Sequence, residues 1–128
     1  MKTLKIAVNL DSPRLPEQEK KQIQEVGYAV LLESFLNQAL AEKYPKGLDR
    51  LKRKVLARVQ ARLDACELEA EYMEIEDGDF DFIRDTMLGD DVKFSAQQNR
   101  LVSQIIKNIE DCEKASRAKE DEPAAKQE

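Results

Sequence analysis

The segment Tyr28–Leu40, YAVLLESFLNQAL, constrains this chain more than any other, because on a helix it is apolar on nearly every side. Tyr28, Leu31, Leu32, Phe35, Leu36, Ala39 and Leu40 cover one broad face. Ile23, Val26 and Val30 extend a second face, bordered by Ser34 and Asn37. A helix that is apolar on two sides has to be sandwiched, within its own domain or against another chain. The periodicity runs from about Glu17 to Lys43, so one long central helix is expected there. Pro16 suits its first turn, and Glu17 and Glu19 suit its positive end. Gly27 inside it costs about 1 kcal/mol against alanine and marks a close helix crossing.

The segments around this helix supply its cover. Leu4, Ile6, Val8 and Leu10 alternate with Lys5, Ala7 and Asn9, which predicts a half-buried strand. Leu48–Leu63 predicts a helix whose buried stripe is Leu48, Leu51, Val55, Leu56, Val59 and Leu63. Cys66, Leu68, Ala70 and Tyr72 alternate with Glu67, Glu69 and Glu71. This predicts a second strand, with a change of phase at Met73 and Ile75. Asp79 is placed to cap a short helix, Phe80–Leu88, and Ser95 with Gln98 reads as a capping box for a last long helix. That helix carries the stripe Leu101, Val102, Ile105, Ile106, Ile109 and Cys112. The expected fold is therefore α+β and mostly helical: a short two-stranded β element packed by about four helices, in the order β-α-α-β-α-α. Residues 1–115 are read as one domain. The stretch 116–128 offers nothing to bury and is read as a disordered charged tail. Two strands alone make a marginal sheet, so they need the helices, or strands of another subunit, to complete them.

Charge is distributed unevenly along the 128 residues, whose net charge is −5. The predicted helix at 48–63 runs against that balance. It carries Arg50, Lys52, Arg53, Lys54, Arg58 and Arg62 against a single acid, Asp49. Arg50, Lys54, Arg58 and Arg62 recur every four residues with Arg53 alongside, and Ala57 and Ala61 between them favour a close, flat protein contact. These five cations are the candidate partner-docking residues. An acidic surface follows at once: Glu67, Glu69, Glu71, Asp77 and Asp79. Opposite patches on one chain are a docking feature, within the chain or between chains. Val26 and Val30, with Ile105 and Ile109, are expected at a subunit interface.

The composition also removes chemistries. There is no histidine, and so neither the commonest general base nor the usual zinc ligand. Cys66 and Cys112 are not part of a CxxC pair and are read as buried free thiols. Asp77, Asp79 and Asp81 have the alternate spacing of a calcium loop. Phe82 and Leu88, however, stand where that loop needs its glycine and its bidentate glutamate. No phosphate loop and no GxSxG motif is present. The longest apolar run, Tyr28–Leu32, is too short to span a bilayer, and Met1–Leu10 alternates rather than forming a signal core, so a cytoplasmic chain without membrane association is expected. The expected function is non-enzymatic: a small adaptor or assembly subunit, without cofactor or metal, partnered by itself as a homo-oligomer and by another protein. The alternative is a nucleic-acid-associated accessory protein using the basic helix, although no aromatic or Asn/Gln base-reading pattern accompanies the stripe. A carboxylate-dependent enzyme is a third reading.

Overall fold

The computed structural model describes the backbone of residues 1–126 and the side chains of residues 1–116. In chain order the elements are β1 (Lys2–Lys5), α1 (Glu17–Val26), α2 (Tyr28–Lys43), α3 (Arg50–Asp64), β2 (Tyr72–Ile75), α4 (Asp77–Met87) and α5 (Asn99–Lys126). The fold is α+β and mostly helical. The two strands pair antiparallel, with Leu4 opposite Met73 and Lys2 opposite Ile75. Leu4, Leu36, Val59, Ile75, Phe80, Ile83 and Ile109 are the largest fully buried apolar side chains, so every element but α1 sends one to the centre. Ile23 is the buried contribution of α1. The ammonium of Lys2 lies 4.5 Å from the centre of the Phe80 ring. Arg84 of α4 reaches Glu113 of α5 at 3.2 Å, which ties those helices together at the surface.

The expected single helix over residues 17–43 is divided at Gly27, where φ is 89° and ψ is 165°. The Gly27 N–H donates to the Ile23 carbonyl at 2.7 Å, closing α1, and the Gly27 carbonyl accepts from Leu31 N–H at 3.3 Å, opening α2. The cause is tertiary. The chain after α3 comes down onto Gly27 so closely that a Cβ there would stand 2.8 Å from the Leu68 carbonyl oxygen. The close crossing read from Gly27 is thus with a loop rather than a helix, and the helix is broken to permit it.

Both strands are shorter than the alternating sequence implies. Beyond Lys5 the N–H groups of Ile6 and Ala7 both donate to the Glu71 carbonyl, at 2.8 and 3.2 Å, and this shared acceptor ends the ladder. Helix α5 then takes over as the neighbour of residues 7–9. Asn108 Nδ2 donates to the Ala7 carbonyl at 3.0 Å. The Gln104 side-chain amide both accepts from Asn9 N–H at 2.6 Å and donates to the Asn9 carbonyl at 3.2 Å. Four residues beyond Asn108, Cys112 Sγ donates to the Thr3 carbonyl at 3.4 Å.

The second strand lies C-terminal to its expected position. Residues 66–71 are turn and loop, and Met73 and Ile75 face the core while Tyr72 and Glu74 are exposed. Register with β1 decides this, because only Tyr72–Ile75 reaches Lys2–Lys5.

Further local expectations are corrected as well. Helix α4 begins at Asp77 after Glu76, so Asp79 stands within its first turn and does not cap it. Ser95 makes no side-chain cap; Gln98 N–H donates to its backbone carbonyl at 3.1 Å in a single 3-10 turn, Ala96–Gln98. Ile105 and Ile109, expected at a subunit interface, are buried inside the chain's own core. Helix α5 runs to Lys126 through the stretch 116–128 read as a tail; the side chains from 117 and the last two residues lie outside the described residues.

Replacing Gly27 by alanine forces a side chain into a glycine-only backbone region and against the Leu68 carbonyl. The expected loss of stability in urea unfolding is about 3 kcal/mol. Gly47→Ala has the same sign of φ but open space around it, and should cost only about 1 kcal/mol.

Candidate docking surface

Helix α3 forms because Asp49 caps it. The Asp49 carboxylate accepts from Lys52 N–H at 2.9 Å and from Lys52 Nζ at 2.7 Å. These contacts hold the Asp49 carboxyl below its ordinary range and the Lys52 ammonium above its own. Val59 and Leu63 are buried, and Val55 and Leu56 are half-buried. Leu51, expected in the same stripe, is turned out and is 74% exposed. The helix packs chiefly through its second half, so its first turn is free of the core.

The candidate docking cations separate into two groups. Arg58 grips Asp79 with Nε at 3.1 and 3.3 Å and with Nη2 at 2.9 Å. The Asp79 side chain is only 3% exposed, so Asp79 belongs to the interior and not to the acidic surface where the sequence placed it. The Asp79 hydrogen bond holds the Arg58 guanidinium above its ordinary range. Arg62 faces Glu76 at 3.5 Å. Arg50, Arg53 and Lys54 form no ion pair among the described residues, and Ala57 and Ala61 are exposed beside them. Of the acids, Glu67, Glu69 and Glu71 lie in the loop after α3 and do not share a strand face. Asp77 stands 3.5 Å from the Met1 amino group.

A feature that the periodicity did not assemble lies at the other end of α3. Val26, Val30 and Leu68 are 46%, 45% and 54% exposed, and all three line one groove between the start of α2 and the end of α3. The groove holds about 200 Å³; its other walls include Leu63 and Cys66, and Glu33, Asp64 and Glu67 supply the acids. Val26 and Val30 are thus unburied within one chain, as an interface role requires, whereas Leu68 joins them only because the loop folds onto Gly27. No local signal in the sequence announces that juxtaposition. Cys66 donates to the Arg62 carbonyl at 3.4 Å, and burial pushes its thiol up. Cys112 is buried and Cys66 half-buried, and the two form no disulfide. A second, polar cleft lies between residues 5–9 and α5, lined by Lys5, Lys107 and Asp111. Its amides Gln104 and Asn108 are already engaged with the backbone.

No protein-family model, curated protein or solved structure matches this chain. No helix among the described residues is long and apolar enough to cross a membrane.

The two groups of cations should respond differently to mutation. Arg58→Ala strands the Asp79 carboxylate, which is buried beneath it, and should lower the unfolding midpoint measurably. Arg50→Ala should leave the unfolding midpoint essentially unchanged. A charge reversal at Arg58, unlike one at Arg50, is therefore expected to damage the fold itself. Equal effects of the two alanine variants in chemical denaturation would show that Arg58 and Arg50 play one role rather than two.

Proposed function

We propose that this chain is a non-enzymatic assembly or adaptor subunit that works through protein–protein contacts and associates with itself. The observation that carries the reading is the cluster Val26, Val30 and Leu68. Three large apolar side chains stay about half exposed in one groove, and acids line the same groove. Covering the remaining area of each would contribute about 1 kcal/mol. An unpartnered apolar patch with a polar border is the usual form of a protein-binding surface. The free cations on the outer face of α3 add electrostatic steering to such a contact.

A polyanion partner is the second reading. It rests on Arg50, Arg53 and Lys54, whose side chains have no acidic partner among the described residues. Arg58 and Arg62 are drawn into ion pairs, which shortens any phosphate-following stripe to those three.

Sedimentation velocity over a concentration series tests the reading. The wild-type chain should sediment as a concentration-dependent oligomer. Val30→Glu should shift it toward monomer without lowering its unfolding midpoint, since Val30 is already exposed. A chain that stays monomeric at high concentration, and shifts only on mixed-sequence RNA or DNA in a salt-sensitive way, would favour the polyanion reading.

A further inference from the structure

The outer face of α3 has a pattern that neither core packing nor the ion pairs within the chain account for. Arg50, Lys54, Ala57, Ala61 and Asp64 are all exposed and are spaced four, three, four and three residues apart. On a helix that spacing draws one continuous seam, of the kind through which two helices pack along their length. The seam is basic at its N-terminal end, small in the middle and acidic at its C-terminal end, where Asp64 joins Glu33 and Glu67 around the groove. The helix is about 22 Å long, so the two signs are well separated.

We infer that two copies of this chain pair through α3, antiparallel, about a two-fold axis near Ala57. This deepens the self-association reading and rests on it. Antiparallel pairing sets Arg50 of one copy beside Asp64 of the other, twice by symmetry. Parallel pairing would stack cation on cation and acid on acid. Ala57 and Ala61 at the centre let the two backbones approach closely. Arg53 projects from the flank of α3 that adjoins the α2 side, where the groove lies at the opposite end of the helix. In the pair that flank meets its own copy, so the aliphatic stem of Arg53 lies over Val30 while its guanidinium meets Glu33 and Glu67 of the second copy. Leu51, on the other flank, meets Ala65 of the second copy, which gives its exposure a reason. Because the surface is complementary to itself, the contact closes at two copies and does not propagate.

The test is a charge swap read by light scattering coupled to size-exclusion chromatography, with circular dichroism as the check on folding. One variant carries Arg50→Glu and Arg53→Glu; the other carries Asp64→Lys and Glu67→Lys. All four positions are exposed. The wild-type chain should be dimeric. Each variant alone should dimerise about tenfold more weakly or worse. An equimolar mixture of the two should recover a dimer, since each reversed end then faces its reversed complement. A dimer that neither variant weakens overturns the α3 pairing and leaves the self-association reading standing. Loss of the dimer in both variants without recovery on mixing also overturns the pairing. A wild-type chain that is monomeric at the highest soluble concentration overturns both. Long open assemblies in place of a dimer overturn the two-fold arrangement.

Discussion

The approach of the Leu68 carbonyl to Gly27 is the contact from which most of this architecture follows. It leaves no room for a Cβ, so it requires glycine, and the conformation that glycine adopts there ends one helix and starts the next. Both helices keep apolar contact with the core, α1 through Ile23 and α2 through Leu32, Phe35 and Leu36. The same approach holds down the loop at residues 66–71, and the Glu71 carbonyl within that loop ends the β1 ladder by serving two N–H donors. The exposed cluster of Val26, Val30 and Leu68 is the outer side of this one contact. A single steric requirement thus sets the helix break, the strand lengths and the groove.

The charges of α3 are divided by partner. Arg58, itself exposed, lies over the Asp79 carboxylate, which is buried beneath it in the first turn of α4, where the positive end of that helix also favours an acid. This pair locks α3 to α4 and is a folding interaction. Arg50 and Lys54 are exposed on α3 without an acidic partner among the described residues, and their energetic worth within one chain is small because water screens them. One periodic run of basic residues therefore contains both an internal brace and a free surface. Only the free surface is available to a second molecule.

Helix α5 solves a problem that a two-stranded sheet would otherwise present. An edge with unpaired amides invites pairing with other chains. Gln104, Asn108 and Cys112 recur every four residues on one face of α5 and satisfy backbone groups of Asn9, Ala7 and Thr3 in turn. Side-chain amides are suited to this, because each carries both a donor and an acceptor, as a peptide group does. Of these groups Thr3 lies within β1, and Ala7 and Asn9 continue the chain beyond it, so α5 borders both the strand and the segment that follows.

The class of fold, the order of elements and most of the core are legible in the residues alone, because these follow from period and polarity. Leu36, Val59, Ile83 and Ile109 stand on the apolar stripes that their own neighbours define, and each is buried. Also legible are the opposed charges of Arg50–Arg62 and Glu67–Asp79, and the surplus of apolar surface at Val26 and Val30. Partnership is left to tertiary structure. Local spacing cannot distinguish Arg58 from Lys54, since both are cations on one periodic run; burial of Asp79, 21 residues beyond Arg58, makes the difference. Nor does alternation fix a strand, for residues 66–72 alternate as well as any strand does. The segment that pairs is the one whose register meets β1 while Leu68 rests on Gly27. Periodicity records which side of an element is apolar, whereas pairing depends on what arrives opposite it from a distant part of the chain.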